Sequence, residues 1–283
     1  MYQNVLVPFD FSDDSRNAVS CLSTVPGIRK IVLLHVVYTR YPSDTNGFVN
    51  PEADYARLRL EEYARGVSAG GAAIVTRVAE VTGGNISDVI NAVGREEKTD
   101  LVVIGRRGRG IIETVLLGSV ASEVLRYGET DLLLIGTPAP AGTGEKPPCL
   151  ALFSHVLVCT DFSEPDIATL CREKLPSITR VSLIHVVTHG DSEKEVRESS
   201  DSAWVALEKL KGDFSTRHIP AEIAVRVGSA PEEILKYAGE KNVSLIAMKS
   251  AGKRGFVPSF LGTTTAQVAR NARVPVIIFR KAT

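Results

Sequence analysis

The sequence predicts an α/β protein made of two copies of one domain, each a five-stranded sheet flanked by helices. Three observations carry this. The segment Val5-Leu6-Val7-Pro8-Phe9-Asp10-Phe11-Ser12 returns 151 residues later as Val156-Leu157-Val158-Cys159-Thr160-Asp161-Phe162-Ser163, with six of eight positions identical. Within each copy, short β-branched runs alternate with amphipathic stretches, the pattern of βα units around a parallel sheet. Between the copies, Thr137 to Pro148 reads TPAPAGTGEKPP, where proline removes donors and glycine loosens the chain, so neither helix nor strand persists. At 283 residues the chain has room for two domains. The expected division is residues 1–136, a linker over 137–151, and residues 152–283.

In the first copy, strands are expected at Asn4 to Pro8, Lys30 to Val37, Ala72 to Val78, Leu101 to Gly105 and Asp131 to Gly136. The unbroken apolar Val102-Val103-Ile104 suits a strand covered on both faces. Helices are expected over Ser12 to Leu22, Pro51 to Ala69, Ile86 to Glu97 and Ser119 to Tyr127, with Ser12 and Ser119 as N-caps and Gly128 just past an end. The second copy follows suit: Ile31 to Val37 returns as Val181 to Val187, and Leu117-Gly118-Ser119 as Leu261-Gly262-Thr263. There Ser163 is expected to begin a helix with Asp166 three residues on, and Thr264 with Gln267 forms a capping-box pattern. Tyr38 to Asn50, rich in turn formers and without apolar period, reads as a surface loop.

Composition excludes several classes. With 33 basic and 33 acidic residues, overall charge recommends neither nucleic acid nor an anionic membrane as partner. The longest apolar runs fall far short of the roughly 20 residues that cross a bilayer, and the start lacks the pattern of a secretory leader, so cytoplasm is the expected location. Cys21, Cys149, Cys159 and Cys171 show no metal or C-x-x-C spacing and read as reduced thiols, three of them buried and Cys149 in the linker. His35 and His185 lie in apolar strands and are expected to be hydrogen-bonded core residues. The lone Trp204 reads as a packing residue, and Glu193 to Asp201 as a solvated helix face.

One segment has more glycine and charge than a connection needs: Gly105-Arg106-Arg107-Gly108-Arg109-Gly110, followed by Gly118-Ser119. It leaves the fourth strand and ends where a helix starts. Glycines let backbone N–H groups approach an anion, and a helix N-terminus adds unpaired donors, so phosphate is the natural guest. Ser119 offers a hydroxyl, and Arg107 or Arg109 a charge-assisted bond. If the first and fourth strands are neighbours, Asp10 and Val36 converge on this loop, Asp10 accepting from a ribose hydroxyl and Val36 bordering adenine. There is no G-x-x-x-x-G-K-[ST] and no G-x-G-x-x-G. The residues by themselves read equally well as a turn, a solvated arginine loop and, at Asp10, a helix cap.

The spacing Gly105-x-x-Gly108, nine residues, then Gly118-Ser119, with Asp10-Phe11-Ser12 after a strand in both copies, resembles the universal stress protein family in a tandem form. The resemblance implies two Rossmann-like, adenine nucleotide alpha hydrolase-like domains with strand order 3-2-1-4-5. It implies an ATP or AMP site formed by Pro8, Asp10, Val36, Ile104, Gly105, Arg107, Gly108, Arg109, Gly118, Ser119, Val120 and Ala121. Magnesium or manganese would travel on the phosphates. Fifth strands commonly pair in this family, which would set Leu132 to Ile135 beside Val276 to Phe279 within one chain, or form a homodimer. The second copy departs from the pattern: Lys249 stands where Gly105 does, Cys159 replaces Pro8, and Pro258 interrupts the loop. Its counterpart site, Asp161, Val186, Gly252, Gly262, Thr263 and Thr264, is therefore expected to be weak or empty.

The implied function is regulatory, with nucleotide occupancy changing stability or a partner surface. Slow ATP hydrolysis is one alternative, disfavoured by the lack of a Walker-type lysine, of a second carboxylate by the loop and of any candidate base besides Asp10. A nucleotide-free dimerising module is the other. The basic clusters at Arg106 to Arg109 and Lys253-Arg254 lack the interleaved aromatics of nucleic-acid binders.

Overall fold

The chain forms ten strands and eight helices among the residues that the computed structural model describes, which are 1–23, 25–43, 47–106, 117–136, 151–163, 166–175, 177–188, 192–250 and 261–280. It divides into two compact units, Tyr2–Cys149 and Leu150–Thr283.

In the first unit, β1 (Asn4–Pro8), α1 (Asp13–Leu22), β2 (Lys30–Tyr38), α2 (Pro51–Gly66), β3 (Ala73–Val81), α3 (Ile86–Glu96), β4 (Leu101–Gly105), α4 (Ser119–Tyr127) and β5 (Asp131–Ile135) succeed one another. All strand pairs are parallel, in the order β3-β2-β1-β4-β5. The centre of the sheet follows from its side chains: Val5, Leu6 and Val7 have no exposed surface. A strand covered by helices on both faces buries every residue rather than alternate ones. Each such side chain contributes about 1.5–3 kcal/mol on leaving water.

The edge strand is different. β3 is only partly covered along its length, with Ala73 and Arg77 exposed, and polar Thr76, Arg77 and Glu80 interrupt its apolar run before its end at Val81. It reaches that far because Val36, Val37 and Tyr38 pair with Ala79, Glu80 and Val81.

The second unit runs β6 (Val156–Cys159), α5 (Ile167–Lys174), β7 (Val181–Val187), α6 (Glu193–Ser215), β8 (Ala221–Val227), α7 (Ala230–Glu240), β9 (Leu245–Lys249), α8 (Thr263–Asn271) and β10 (Val276–Phe279). Its strands are parallel in the equivalent order β8-β7-β6-β9-β10. Among the described residues no helix is long and apolar enough to cross a membrane.

Several local expectations are corrected. The cap of α4 is Gly118 rather than Ser119, and the cap of α8 is Gly262 rather than Thr264; neither has a side-chain cap bond. Helix α5 begins not at Ser163 but after Asp166, whose carboxylate accepts from the Ala168 and Thr169 amides at 3.1 and 3.3 Å. Trp204 is 50% exposed on α6, which anchors instead through Leu207 and Phe214. Cys21 is disulfide-bonded rather than a free thiol; short-range spacing does not reveal such a bond. Cys171 is free and buried, Cys159 free and partly covered. Burial pushes both thiols far above the ordinary cysteine range. Cys149 and residues 137–150 of the expected linker lie outside the described residues.

Candidate functional site

The first strand ends in an unusual turn. Phe11 has φ +63°, in the left-handed region that costs a bulky side chain about 1–2 kcal/mol. In this turn the Ser12 amide and hydroxyl both meet Asp10, donating to Oδ1 at 3.0 and 2.5 Å. The Ser12 hydroxyl oxygen also accepts from the Ser15 amide and so caps α1. Beside the turn, the His35 ring lies against Phe11 with centroids 4.9 Å apart, and His35 Nδ1 is 2.6 Å from the Phe9 carbonyl. A carbonyl only accepts, so Nδ1 carries a proton. The Arg59 guanidinium also lies over Phe11, 4.2 Å from the ring centroid.

The neighbouring strand ends at Gly105, and only glycine fits there. A Cβ on this residue would stand 2.7–2.8 Å from the backbone carbon and oxygen and the Cβ of Asp14, in the first turn of α1. Arg106 follows. Its amide donates to the Ile135 carbonyl at 2.9 Å, and its carbonyl accepts from the Gly118 amide at 2.7 Å, which brings the start of α4 back to the end of β4. Helix α4 has no acidic residue in its first turn and no side-chain cap, so its leading N–H groups keep their partial positive charge.

These parts enclose a cavity of about 290 Å³ at the carboxyl ends of β1 and β4. Pro8, Phe9 and Asp10 come from β1 and its turn, Leu34, His35 and Val36 from β2, and Ile104, Gly105 and Arg106 from β4. Gly118, Ser119, Val120 and Ala121 line it from the start of α4, with Ser15 from α1 and Ile86 from α3. Nine residues singled out in the sequence thus meet in one cavity: Pro8, Asp10, Val36, Ile104, Gly105, Gly118, Ser119, Val120 and Ala121. Arg107, Gly108 and Arg109 lie outside the described residues. Six lining residues were not singled out. Phe9, His35 and Arg106 adjoin residues that were and Leu34 lies two residues before Val36, whereas Ser15 and Ile86 are brought in by packing. Arg106 is only 6% exposed, which corrects its reading as part of a solvated loop.

The second unit keeps the turn and alters what faces it. Phe162 has φ +58°, Asp161 Oδ1 accepts from the Ser163 amide and hydroxyl at 3.1 and 2.5 Å, and His185 Nδ1 donates to the Thr160 carbonyl at 2.8 Å. Val186 lies in β7, with Gly262, Thr263 and Thr264 at the start of α8, while Gly252 is outside the described residues. Lys249, in the place of Gly105, turns its ammonium onto Ser163 and donates to its carbonyl at 2.8 Å and its hydroxyl at 2.7 Å. By the 151-residue repeat, the first residue of α5, Ile167, corresponds to Arg16, three residues into α1.

The Universal stress protein family pattern matches residues 1–136 and again 152–280. A universal stress protein of Mycolicibacterium smegmatis is 27% identical over 197 residues, 66% of this chain and 64% of that one, so the match spans less than two thirds of that relative. Universal stress protein G of Salmonella typhimurium is 31% identical over 147 residues, 48% of this chain and 99% of that one. A solved universal stress protein from Archaeoglobus fulgidus superposes with a TM-score of 0.73 over 98% of both chains, at 22% identity, a likeness of fold.

Proposed function

Since the chain belongs to the universal stress protein family over both halves, we propose that its first half binds an adenine nucleotide, ATP or AMP, in the cavity between β1, β4 and α4, and that occupancy regulates the protein's part in a stress response. The observation that carries this reading is the meeting of three distant segments around 290 Å³ of space with an uncapped helix start at one side. The chemistry divides as a nucleotide requires. Val36, Leu34 and Ile104 offer an apolar slot for a base, Asp10 an acceptor for ribose hydroxyls, and the leading amides of α4 with Ser119 donors for phosphate.

A divalent cation on this reading arrives bound to the phosphates. Among the described residues no group of three His, Cys, Asp or Glu side chains could hold one. The second half, with Lys249 held by Ser163, binds weakly or not at all. The same reading has the halves pair through their fifth strands, or two chains form a homodimer, in the cytoplasm, since an open parallel sheet leaves an edge to cover. Sedimentation velocity gives the chain count.

The test is calorimetric titration of ATP, ADP and AMP into the full chain, alongside mass spectrometry of whatever small molecule co-purifies. One saturable site per chain, lost in Gly118→Val, is the expected result. Absence of heat and of any thermal shift with all three nucleotides would overturn the reading and leave a nucleotide-free interaction module.

A further inference from the structure

One stretch of the first unit keeps its apolar side chains in water. Of the eleven large apolar residues that are exposed among the described residues, six fall between positions 38 and 58. Tyr38 ends β2, Tyr41, Phe48 and Val49 follow on the connection, and Tyr55 and Leu58 stand on α2. Tyr41 is 74% exposed and Tyr55 63%. Tyr55 and Leu58, three residues apart, share one face of their helix.

The connection is anchored, so these side chains are presented by a fixed backbone. Ser43 donates its amide and its hydroxyl to Glu80 of β3, both at 2.8 Å, and its hydroxyl oxygen accepts from the Asn50 amide at 3.0 Å. Arg57 of α2 reaches the same Glu80 at 3.8 Å. Tyr41 lies two residues before Ser43, Val49 beside Asn50 and Leu58 beside Arg57, so the apolar residues surround one polar anchor. A surface that is already ordered loses little freedom on binding.

The fold itself does not call for apolar side chains here. The second unit spans the matching stretch, 188–220 against 39–72, with a longer helix, α6, whose first turns expose Glu193, Lys194, Glu195, Arg197 and Glu198 instead. Exposed apolar surface gathered in one place marks a site of association.

Area and charge together indicate the occupant. Six such residues, each about half exposed or more, present roughly 600–700 Å², since an aromatic side chain alone offers about 150–250 Å². A specific interface takes about 800 Å² from each partner and at least about 1,200 Å² in total, which two of these patches face to face just supply. Arg40 beyond the strand and Glu52 at the helix start are both exposed and put one charge of each sign at opposite ends of the connection, while Asp54 is paired with Arg57 at 3.3 Å. A two-fold contact sets each end of a patch against the other end of its copy, so cation meets acid. With 33 basic and 33 acidic residues, two copies of the chain also carry no net repulsion.

We propose that this patch is a self-association surface, through which two copies of the chain join reversibly about a two-fold axis. The inference is independent of the nucleotide reading and assigns pairing between chains to a surface other than the fifth strands.

The experiment is sedimentation equilibrium of the full chain across about 1–100 μM, the range that an interface at the small end of the specific class calls for. Wild type is compared with Tyr41→Ser and Leu58→Glu, and with Val205→Ser on α6 as an exposed apolar control. Circular dichroism melting verifies each fold. A concentration-dependent dimer is expected in wild type and Val205→Ser, weakened at least about tenfold in the other two variants. A wild type that is monomeric throughout overturns the inference. So does a dimer that Tyr41→Ser and Leu58→Glu leave intact, which places pairing on another surface, or an equal loss in Val205→Ser, which shows unspecific apolar association. If one patch variant does not fold, the other decides.

Discussion

Replacing Gly105 with alanine isolates the tightest approach in the first unit. The added Cβ would stand 2.7 Å from the Asp14 carbonyl carbon and 2.8 Å from its oxygen and Cβ, mostly backbone in the first turn of α1. No side chain can swing away, so either the turn or the strand end must move. Overpacking of this kind costs about 1–3 kcal/mol. For a unit of this size each kcal/mol shifts the midpoint by about 2–4 °C, so a fall of about 3–10 °C in the first-unit transition is expected. Gly94→Ala, inside α3 with its new Cβ 3.9 Å from Thr99, supplies the control, and a gain of about 0.5–1 kcal/mol is expected there. The assay is urea and thermal unfolding by far-ultraviolet circular dichroism, with fluorescence of Trp204, the single tryptophan, reporting the second unit separately. Gly105→Ala within about 0.5 kcal/mol of wild type would refute the argument that steric exclusion fixes this glycine.

Acidification is expected to weaken the second unit. Burial raises the Glu222 carboxyl, but the Ser182 hydroxyl, Arg180 and Lys241 outweigh it and hold the group at about 2, against an ordinary 4.5. Its stabilisation is therefore complete above the ordinary range and lost as pH falls toward 2. His155 acts in the same direction: desolvation and Arg180 lower its pKa, so below about 6.5 the unfolded chain takes up a proton before the folded one. Urea midpoints from Trp204 fluorescence should fall between pH 7 and 3, with Glu222→Gln flattening the acid part; a pH-independent midpoint contradicts this. Lys249→Met removes a charged donor from Ser163 and should destabilise the second unit by about 1.5–3 kcal/mol in the same fluorescence assay. Cys171, fully buried and with its thiol raised by that burial, should react with a chromogenic disulfide reagent only as fast as the unit unfolds; rapid labelling of Cys171 in the native protein would contradict this.

The parts of this fold that could be read from sequence are those set by local pattern. Val102-Val103-Ile104 and Leu132 to Ile135 announce strands because they are apolar without alternation, and the duplicated Asp-Phe-Ser fixed the repeat. The start of α5 was misread for a reason outside its own residues. Ser163 and Asp166 are both good caps, but Ser163 is engaged by Lys249, more than 80 residues away, whose ammonium donates to its carbonyl and hydroxyl, while Asp166 caps the helix. The cavity was half legible. Glycines and acids mark themselves by composition, whereas Ser15 and Ile86 line it only because their helices pack where they do. Arg106 was hidden among arginines that share its charge, and burial alone distinguishes it.

The left-handed phenylalanines have a bearing on how two copies drift apart. Phe11 and Phe162 keep the same strained backbone in both copies, at φ +63° and +58°. What both copies share is internal: a serine folded back on an aspartate, and a histidine that braces the carbonyl before that aspartate while its ring lies on the phenylalanine. Such a joint holds itself shut. A duplicated chain with self-supporting joints can let one copy abandon its original task without losing its shape.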